Sequence, residues 1–321
     1  MAAAPPLIAT PAAPIPPDGH PEWFEGARGA RLRAALFPAA GEARGSVVLS
    51  GGRTEPIEKY FEVIEELRRR GFTVLAHDWR GHGLSERLHP DRLRGHAGAY
   101  KDFLGDFDAL LAAFEARLPK PWIAVGHSMG GCLTALVLAH GERRFSAAAL
   151  SAPMVGILTG VTPRPLARGL ARVLRSLGAG AIMTPGRQVS PIAVHFEENI
   201  LTHDRRRYDR NQSQLVACPD LMLGGPTWGW LDFAFSAIAE LQHGTGLTRV
   251  DIPVVIVAAG DDRLVDIAAE RRVAARIPRG RLVAVNGAFH EILQETDDVR
   301  AVFWREFDAL AADAAPISPP A

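Results

Sequence analysis

Ser128 is the residue in this sequence whose setting most directly suggests chemistry. It lies in Gly-His-Ser-Met-Gly, residues 126–130, with a glycine two positions away on either side. The apolar run 122–126 precedes it and the largely apolar stretch 129–140 follows it, so the pattern predicts a strand, a tight turn and a helix. A serine on such a turn is typical of a nucleophile that attacks a carbonyl carbon. The simpler alternative is a glycine-rich joint with a passive serine.

A serine hydroxyl is a weak nucleophile and needs a general base, which a carboxylate in turn orients. His290 follows the last predicted strand and is therefore the predicted base. The strand before that one, 254–259, is followed by Asp261, Asp262 and Asp266. Their position fits the chain order serine, carboxylate, histidine. The residues alone leave the choice among the three aspartates open.

The negative charge that develops on an attacked carbonyl oxygen needs two converging N–H donors. The backbone amide of Met129 is one predicted donor, because it lies in the first turn of the helix after the serine. The second is predicted in the loop after the apolar run 46–50, near Gly52 and Arg53, where glycine lets the backbone approach closely. A plain turn at 51–53 is the alternative.

The elements that must hold these residues alternate along the chain. Short continuous apolar runs are separated by stretches with helical spacing, which indicates a mostly parallel sheet covered by helices on both faces. Such sheets bind ligands beyond the carboxyl ends of their strands, where the candidates above would lie. The predicted strands are two within 22–37, then 46–50, 73–78, 122–126, 147–151, 254–259 and 281–285, and the predicted helices are 56–70, 101–118, 129–140, 266–277 and 296–312.

Residues 154–249 break this alternation. The segment has helical spacing, is rich in arginine and aromatic residues, and lacks runs typical of buried strands. We therefore expect a helical cap over one end of the sheet, with residues 22–153 and 250–314 forming the core. The first 21 residues are interrupted by prolines and are predicted to be a flexible tail. Residues 315–321 are expected to form a second tail.

Composition and charge exclude several classes of protein. Lys plus Arg and Asp plus Glu both number 36, whereas nucleic-acid-binding proteins usually carry a basic excess, so no nucleic-acid partner is expected. The two cysteines form neither a disulfide framework nor a metal-ligand pattern. No apolar run reaches the ~18 residues of a membrane span, and the first residues lack the basic start of a signal peptide. We expect a cytoplasmic protein without a metal ion.

Nine motifs between residues 45 and 305 resemble those of a known protein family. They are GGRTEPIEKY (51–60), GFTVLAHDWRGHGLSER (71–87), RGHAGAYKDF (94–103), GHSMGG (126–131), LSAPMVGI (150–157), LTHDRRRYDRN (201–211), GGPTWGW (224–230), AGDDRLVD (259–266) and GAFHEILQE (287–295). Together they resemble the α/β-hydrolases, and more narrowly the lysophospholipase L2 and monoacylglycerol lipase group of serine hydrolases. The Gly-Arg-Thr-Glu loop and the cap motifs favour the lysophospholipase branch. Monoacylglycerol lipases carry His-Gly before the first oxyanion donor, where this chain has Gly51-Gly52.

The resemblance implies an α/β-hydrolase fold with an inserted helical cap, and it assigns roles. Ser128 would be the nucleophile, Asp262 the orienting acid and His290 the base; Asp262 is preferred because it directly precedes Arg-Leu-Val-Asp, as in that group. The backbone amides of Arg53 and Met129 would form the oxyanion hole. The chain would be a cofactor-free hydrolase that cleaves carboxylic esters of acyl-chain lipids, of the lysophospholipid or monoacylglycerol type, through an acyl-enzyme.

Other functions stay open on the same residues. A short-chain carboxylesterase or a peptidase would use the same triad. A non-catalytic ligand-binding protein would keep the fold and its capped cavity, although such proteins commonly lose a triad member. The expected partner of the enzyme is a small-molecule ester or lipid. A lipid substrate would also allow transient contact with a membrane surface through exposed apolar residues of the cap.

Several further residues have both a functional and a structural interpretation. Trp228 and Trp230 could line an acyl channel or pack the cap on the core. The run of arginines at 205–207 could contact a substrate phosphate, but charge runs more often form a solvated helix face. A structural role is the better explanation for the remaining candidates, which are His127, His77, Asp78, Cys132, and the pair His82 and His96, whose spacing does not indicate a metal site.

Overall fold

An eight-stranded sheet forms the centre of the computed structural model, which describes residues 3–160, 162–185, 192 and 194–316. The strand order is β1-β2-β4-β3-β5-β6-β7-β8. The pairs β1–β2 and β2–β4 are antiparallel, and the other neighbours are parallel. The strands are β1 His20–Glu25, β2 Arg31–Phe37, β3 Gly45–Ser50, β4 Phe72–His77, β5 Trp122–His127, β6 Phe145–Ser151, β7 Val254–Ala259 and β8 Gly280–Val285.

Helices cover both faces of this sheet, as β3 illustrates. Val48 packs in an apolar cluster with the helices Tyr100–Phe114 (α2) and Ser128–Ala139 (α3). Val47 and Leu49 pack in a second cluster with the helices Phe61–Arg69 (α1) and Asp297–Ala314 (α8). Because successive side chains of a strand point to opposite faces, a continuous apolar run needs cover on both. The helices are α1 Phe61–Arg69, α2 Tyr100–Phe114, α3 Ser128–Ala139, α4 Arg164–Ser176, α5 Arg205–Ala217, α6 Trp228–His243, α7 Ile267–Ala274 and α8 Asp297–Ala314.

Two of the predicted helical stretches include a 3-10 turn at one end, and the helix predicted over 266–277 ends earlier, at Ala274. The stretch predicted as a helix over 56–70 begins with a 3-10 turn, Ile57–Tyr60, before α1 starts. The helix predicted over 101–118 closes with a 3-10 turn at Glu115–Arg117. Helix ends commonly tighten in this way, and sequence periodicity does not distinguish the two forms over three or four residues. None of the helices described is long and apolar enough to cross a membrane.

The described residues between β6 and β7 contain α4, α5 and α6 and no strand that joins the sheet. Helix α4 packs on α6 through Ala167 and Ala171, which contact Phe235. Helix α6 packs on the core through Phe233, whose ring centroid lies 4.6 Å from that of Phe103 in α2. These contacts are those expected of a helical cap over 154–249, of which residues 161, 186–191 and 193 lie outside the described residues.

The N-terminal segment differs from the predicted flexible tail. The Pro6 carbonyl accepts a hydrogen bond from Arg33 Nη1 at 2.9 Å, and the Ile8 amide donates to Glu58 Oε1 at 3.2 Å. Ala13 is buried in the cluster that contains α1 and α8. The prolines prevent a helix, but the segment's backbone groups find partners on buried side chains, so residues 3–19 lie against the core. Most of the predicted second tail, 317–321, lies outside the described residues.

Candidate active site

Ser128 is the first residue of α3 and follows directly on β5. Its φ of +49° is rare for a residue with a side chain and marks a sharp turn held by its surroundings. A Cβ on Gly130 would lie 2.2 Å from the Ser50 carbonyl oxygen, and one on Gly126 would lie 2.8 Å from Gly131 Cα. Only glycine at these two positions allows the strand and helix to approach so closely. The predicted strand, turn and helix are therefore present around this serine.

The side chains of Ser128, His290 and Asp262 form one hydrogen-bonded chain. His290 Nε2 lies 2.9 Å from Ser128 Oγ, and His290 Nδ1 lies 2.6 Å from Asp262 Oδ2. The other carboxylate oxygen of Asp262 accepts the amides of Leu264 and Val265 at 2.7 and 2.9 Å. With Nδ1 donating to the carboxylate, Nε2 is left as an acceptor for the serine proton. The three residues are 28 and 162 positions apart in sequence.

The environment of Asp262 keeps it ionised. Burial acts to raise the pKa of this carboxyl, but the hydrogen bond and charge of His290, together with the two backbone amides, outweigh burial and hold the pKa below its usual value. The other two candidate aspartates are placed differently. Asp261 is exposed, and Asp266 caps α7 by accepting the Ala268 amide at 3.0 Å. Of the three, Asp262 is the one that contacts His290.

The two predicted oxyanion donors lie on segments suited to that role. Met129 is buried in the first turn of α3, where helix geometry leaves the amides without an intrahelical partner. Arg53 lies in the loop after β3, residues 51–55, called the β3 loop below. In this loop the Gly52 amide donates to Glu55 Oε2 at 2.5 Å. This amide therefore already has an acceptor and is not available to an oxyanion. That Arg53 and Met129 donate to an oxyanion stays a prediction.

A group of buried charges that the sequence did not reveal lies behind the site. Lys59 Nζ contacts Glu55 Oε1 at 2.8 Å and Glu291 Oε1 at 2.5 Å, and the Tyr60 hydroxyl donates to Glu55 Oε2 at 2.5 Å. We call these four residues the buried charge cluster. Glu55 belongs to the β3 loop, and Glu291 directly follows His290. The cluster therefore connects the β3 loop with the loop that carries His290. Lys59 and Glu291 are 232 positions apart, so no local pattern could have indicated their contact.

The charge states in this cluster follow from burial and from the pairing. Burial acts to lower the pKa of Lys59, but the two carboxylates outweigh it and raise the pKa above its usual value. Burial acts to raise the pKa of Glu55, yet the charge of Lys59 outweighs burial and lowers it. The pKa of Glu291 is raised, chiefly by burial. Lys59 is therefore the cation on which both carboxylates depend.

The remaining candidates have mostly structural contacts. His127 Nδ1 lies 3.1 Å from the Ser151 carbonyl, and burial lowers the pKa of His127 to about 4, so the ring is neutral. Trp228 packs inside the cap in the cluster of Ala167 and Phe235, whereas Trp230 lies over the Arg53 guanidinium with 5.1 Å between Arg53 Cζ and the ring centroid. The other contacts are Asp78 with Arg33, Ile57 and Leu84, His77 with Ser50, His82 with the Arg80 carbonyl, and His96 with Thr227.

The arginines at 205–207 divide between two environments. Arg205 and Arg206 are exposed, as expected of a solvated helix face. Arg207 is buried and pairs with Glu62, Asp204 and Asp297 at 2.6–2.8 Å. With its charge matched by carboxylates, Arg207 is not available to a substrate phosphate. Cys132 is buried, which raises the pKa of its thiol to about 12. No cluster of three or more metal-ligating side chains is found in the part of the chain that the structure describes.

Comparison with known proteins agrees with this architecture. The family model described as serine aminopeptidase, S33, matches residues 41–297. Lysophospholipase L2 of Escherichia coli K12 is 35% identical over 271 residues, covering 80% of this chain and 77% of that protein. A monoacylglycerol lipase of Mycolicibacterium smegmatis is 28% identical over 280 residues, covering 85% and 91%. The resemblance to the lysophospholipase L2 and monoacylglycerol lipase group is thereby confirmed.

A solved structure supports the fold. A soluble variant of the monoglyceride lipase of Saccharomyces cerevisiae, in complex with a substrate analogue, matches with a TM-score of 0.72 at 21% identity, covering 98% of this chain and 99% of that one. At this identity the match concerns the fold. The α/β-hydrolase fold predicted from the sequence is confirmed.

Proposed function

The chain belongs to the serine aminopeptidase S33 family of α/β-hydrolases, and from this membership we propose that it is a serine esterase that cleaves the acyl ester of a lysophospholipid or a monoacylglycerol. The observation that carries the proposal is the continuous hydrogen-bonded chain from Ser128 through His290 to Asp262. The names of the relatives support the lipid substrate, because the lysophospholipase and the lipase both match most of the chain.

In the proposed reaction Ser128 Oγ attacks the ester carbonyl while His290 Nε2 takes its proton. The amides of Arg53 and Met129 hold the resulting oxyanion. Collapse of the tetrahedral intermediate breaks the ester bond, and His290 returns the proton to the leaving alcohol. Water, deprotonated by His290, then attacks the acyl-enzyme and releases the carboxylic acid and the free serine. Asp262 stays ionised throughout and stabilises the imidazolium form of His290.

A panel of esters tests this substrate class. We expect kcat/KM for a long-chain lysophosphatidylcholine and for a monoacylglycerol of the same acyl length to exceed that for the glycerol monoester of butyrate by at least about tenfold, because the leaving alcohol is comparable and a longer acyl chain buries more apolar surface. An aminoacyl p-nitroanilide belongs in the same panel. A preference for the butyrate would identify a short-chain carboxylesterase, and a preference for the anilide a peptidase; either result would contradict the lipid assignment.

We also propose that α4 touches the membrane surface from which a lipid substrate would be drawn. Leu166, Leu170, Val173 and Leu177 are 43–74% exposed and are spaced four, three and four residues apart, so they form one stripe along α4. The helix carries four arginines and no acidic residue. Two of them, at 168 and 172, have no carboxylate partner among the described residues. An exposed apolar stripe on a basic helix is typical of binding to an anionic lipid surface.

Vesicle sedimentation tests the membrane contact. We expect the protein to sediment with phosphatidylcholine vesicles that contain phosphatidylglycerol, and the doubly substituted Leu170→Gln/Leu177→Gln variant to lose most of this binding. Val216→Gln, which replaces an exposed apolar residue on α5, is the matched control and should bind as the wild type does. Equal binding by the double variant and the control would show that α4 is not the contact surface.

A further inference from the structure

Arg53 has an unusual environment for a half-buried arginine. Its Nη2 donates to the Gly224 carbonyl, and its Cζ lies 5.1 Å from the centre of the Trp230 ring. A Cβ on Gly95 would lie 2.1 Å from Nη2. The side chain therefore fills a narrow space between Gly95 of the core and Gly224 and Trp230 of the cap. Arg53 Nε is shielded from solvent and has no hydrogen-bond partner in the described part of the chain.

No carboxylate of the described residues lies within 4.0 Å of the Arg53 nitrogens, in contrast to the fully buried arginines. Arg33 pairs with Glu58 and Asp78 at 2.7 and 2.6 Å, and Arg207 pairs with three carboxylates. Arg87 also lacks a carboxylate within 4.0 Å among the described residues, but its guanidinium donates to three backbone carbonyls, those of Gly81, Asp220 and Met222. For Arg53, burial acts alone and lowers the pKa to about 10. Among the described residues, the charge of Arg53 is therefore not neutralised by a carboxylate.

Trp230 provides a second donor beside the first. Its Nε1 is buried and has no hydrogen-bond partner among the residues that the structure describes. A buried donor without an acceptor is costly, and a buried cation without an anion more so. Two such donors on neighbouring side chains, one of them charged, match a ligand that offers only acceptors and carries a negative charge. A phosphodiester has this chemistry, with two non-bridging oxygens that share one charge.

The position of Arg53 would place a phosphodiester bound by its side chain close to the ester that Ser128 attacks. The backbone amide of Arg53 is the proposed oxyanion donor, so its side chain starts beside the scissile carbonyl. In a lysophospholipid the phosphate is attached to the same glycerol as the acyl ester, a few bonds from the carbonyl. A monoacylglycerol has an uncharged hydroxyl at that position, which cannot neutralise the guanidinium.

We propose that Arg53 and Trp230 form a subsite for the headgroup phosphodiester, and that the preferred substrate is consequently a lysophospholipid and not a monoacylglycerol. This inference rests on the proposed ester hydrolysis at Ser128. It assigns the Arg53 side chain a role in specificity that is separate from the role of its backbone amide.

The test compares kcat/KM for a lysophosphatidylcholine with kcat/KM for a monoacylglycerol of the same acyl chain. We expect the wild type to favour the lysophospholipid and Arg53→Gln to lower the ratio of the two values by about tenfold or more, the equivalent of one charge-assisted hydrogen bond. The ratio for Arg53→Lys, which keeps a charge, should lie between that of the wild type and that of Arg53→Gln. Arg94→Gln is the matched control, because Arg94 lies at the same seam but pairs with Asp91 at 3.3 Å; its ratio should equal that of the wild type.

Two results would overturn the subsite. If Arg53→Gln lowers both values equally, the side chain serves only to hold the β3 loop; if the wild type prefers the monoacylglycerol, the headgroup does not bind as proposed. Hydrolysis of neither lipid by a wild type that cleaves p-nitrophenyl butyrate would instead contradict the proposed function itself.

A measurement on the wild type keeps the test independent of how the variants fold. Glycerophosphocholine should competitively inhibit hydrolysis of the monoacylglycerol, whereas glycerol at the same concentration should not. Inorganic phosphate at matched ionic strength distinguishes a headgroup subsite from a general phosphate site. Inhibition by inorganic phosphate without inhibition by glycerophosphocholine would overturn the headgroup assignment.

Discussion

Replacing Ser128 with alanine is expected to lower kcat/KM for ester hydrolysis by at least about 10⁴-fold, a loss typical of removing a triad nucleophile. The hydroxyl makes the 2.9 Å contact with His290 Nε2, and alanine has no atom that can attack a carbonyl. Alanine keeps the Cβ at this position of positive φ, so the strain of the turn is unchanged and the protein should fold normally. The measurement is hydrolysis of a p-nitrophenyl ester, with labelling by a fluorophosphonate probe as a second readout.

Ser151→Ala is the matched control for that substitution. Ser151 ends β6, paired in register with His127 on the neighbouring strand, and its hydroxyl is buried and has no hydrogen-bond partner among the described residues. The control should retain both activity and labelling. If Ser128→Ala were still labelled, or retained more than a small fraction of the activity, the nucleophile would have to be another residue and the proposed mechanism would be wrong.

Replacing Lys59 with methionine is expected to destabilise the fold by about 3–5 kcal/mol, the cost of leaving buried charges without their partner. Methionine fills a similar volume, so the main loss is the cation that contacts Glu55 and Glu291 at 2.8 and 2.5 Å. Urea denaturation measures the change in the free energy of unfolding. Lys101→Met is the matched control, because Lys101 is exposed on α2; its free energy of unfolding should stay within about 0.5 kcal/mol of the wild type.

The destabilisation caused by Lys59→Met should decrease as the pH falls. In the wild type the pKa of Glu55 lies below its unfolded value of 4.5, so this residue contributes stability that is present above that pH and is lost as the pH falls through the folded pKa. Without Lys59, burial raises the pKa of Glu55 instead. The difference in the free energy of unfolding between the wild type and Lys59→Met is therefore largest near neutral pH and decreases as the pH falls toward about 4.5. A difference that stays constant with pH would show that packing, not charge, explains the loss.

The parts of the fold that the sequence predicted well are those that depend on local pattern. The apolar run 254–259 coincides with β7, and each of the other predicted strands after residue 45 differs from the observed one by at most two residues at an end. Ser128 was identifiable because the glycines, the strand and the helix around it are contiguous. His290 was identifiable because it follows the last strand, and the carboxyl ends of parallel strands meet at one edge of the sheet.

The parts that the sequence did not predict depend on charge and hydrogen-bond partners far away in the chain. The N-terminal prolines suggested a free tail, but Arg33 and Glu58 offer partners to Pro6 and Ile8. The motif at 51–60 shows Glu55 and Lys59 without indicating that Glu291 completes their cluster. Nothing in the composition distinguishes Arg207, with three carboxylates around it, from Arg53, with none among the described residues.

The sequence by itself therefore determined the order of elements, the inserted helical segment and the identity of the candidate nucleophile and base, because apolar periodicity and turn motifs act between residues close together in the chain. The tertiary structure decided which of three aspartates contacts His290, which charges are paired in the interior, and that no described residue covers the apolar stripe of α4. Burial and electrostatic pairing depend on distances in space, and here those distances join residues tens to hundreds of positions apart.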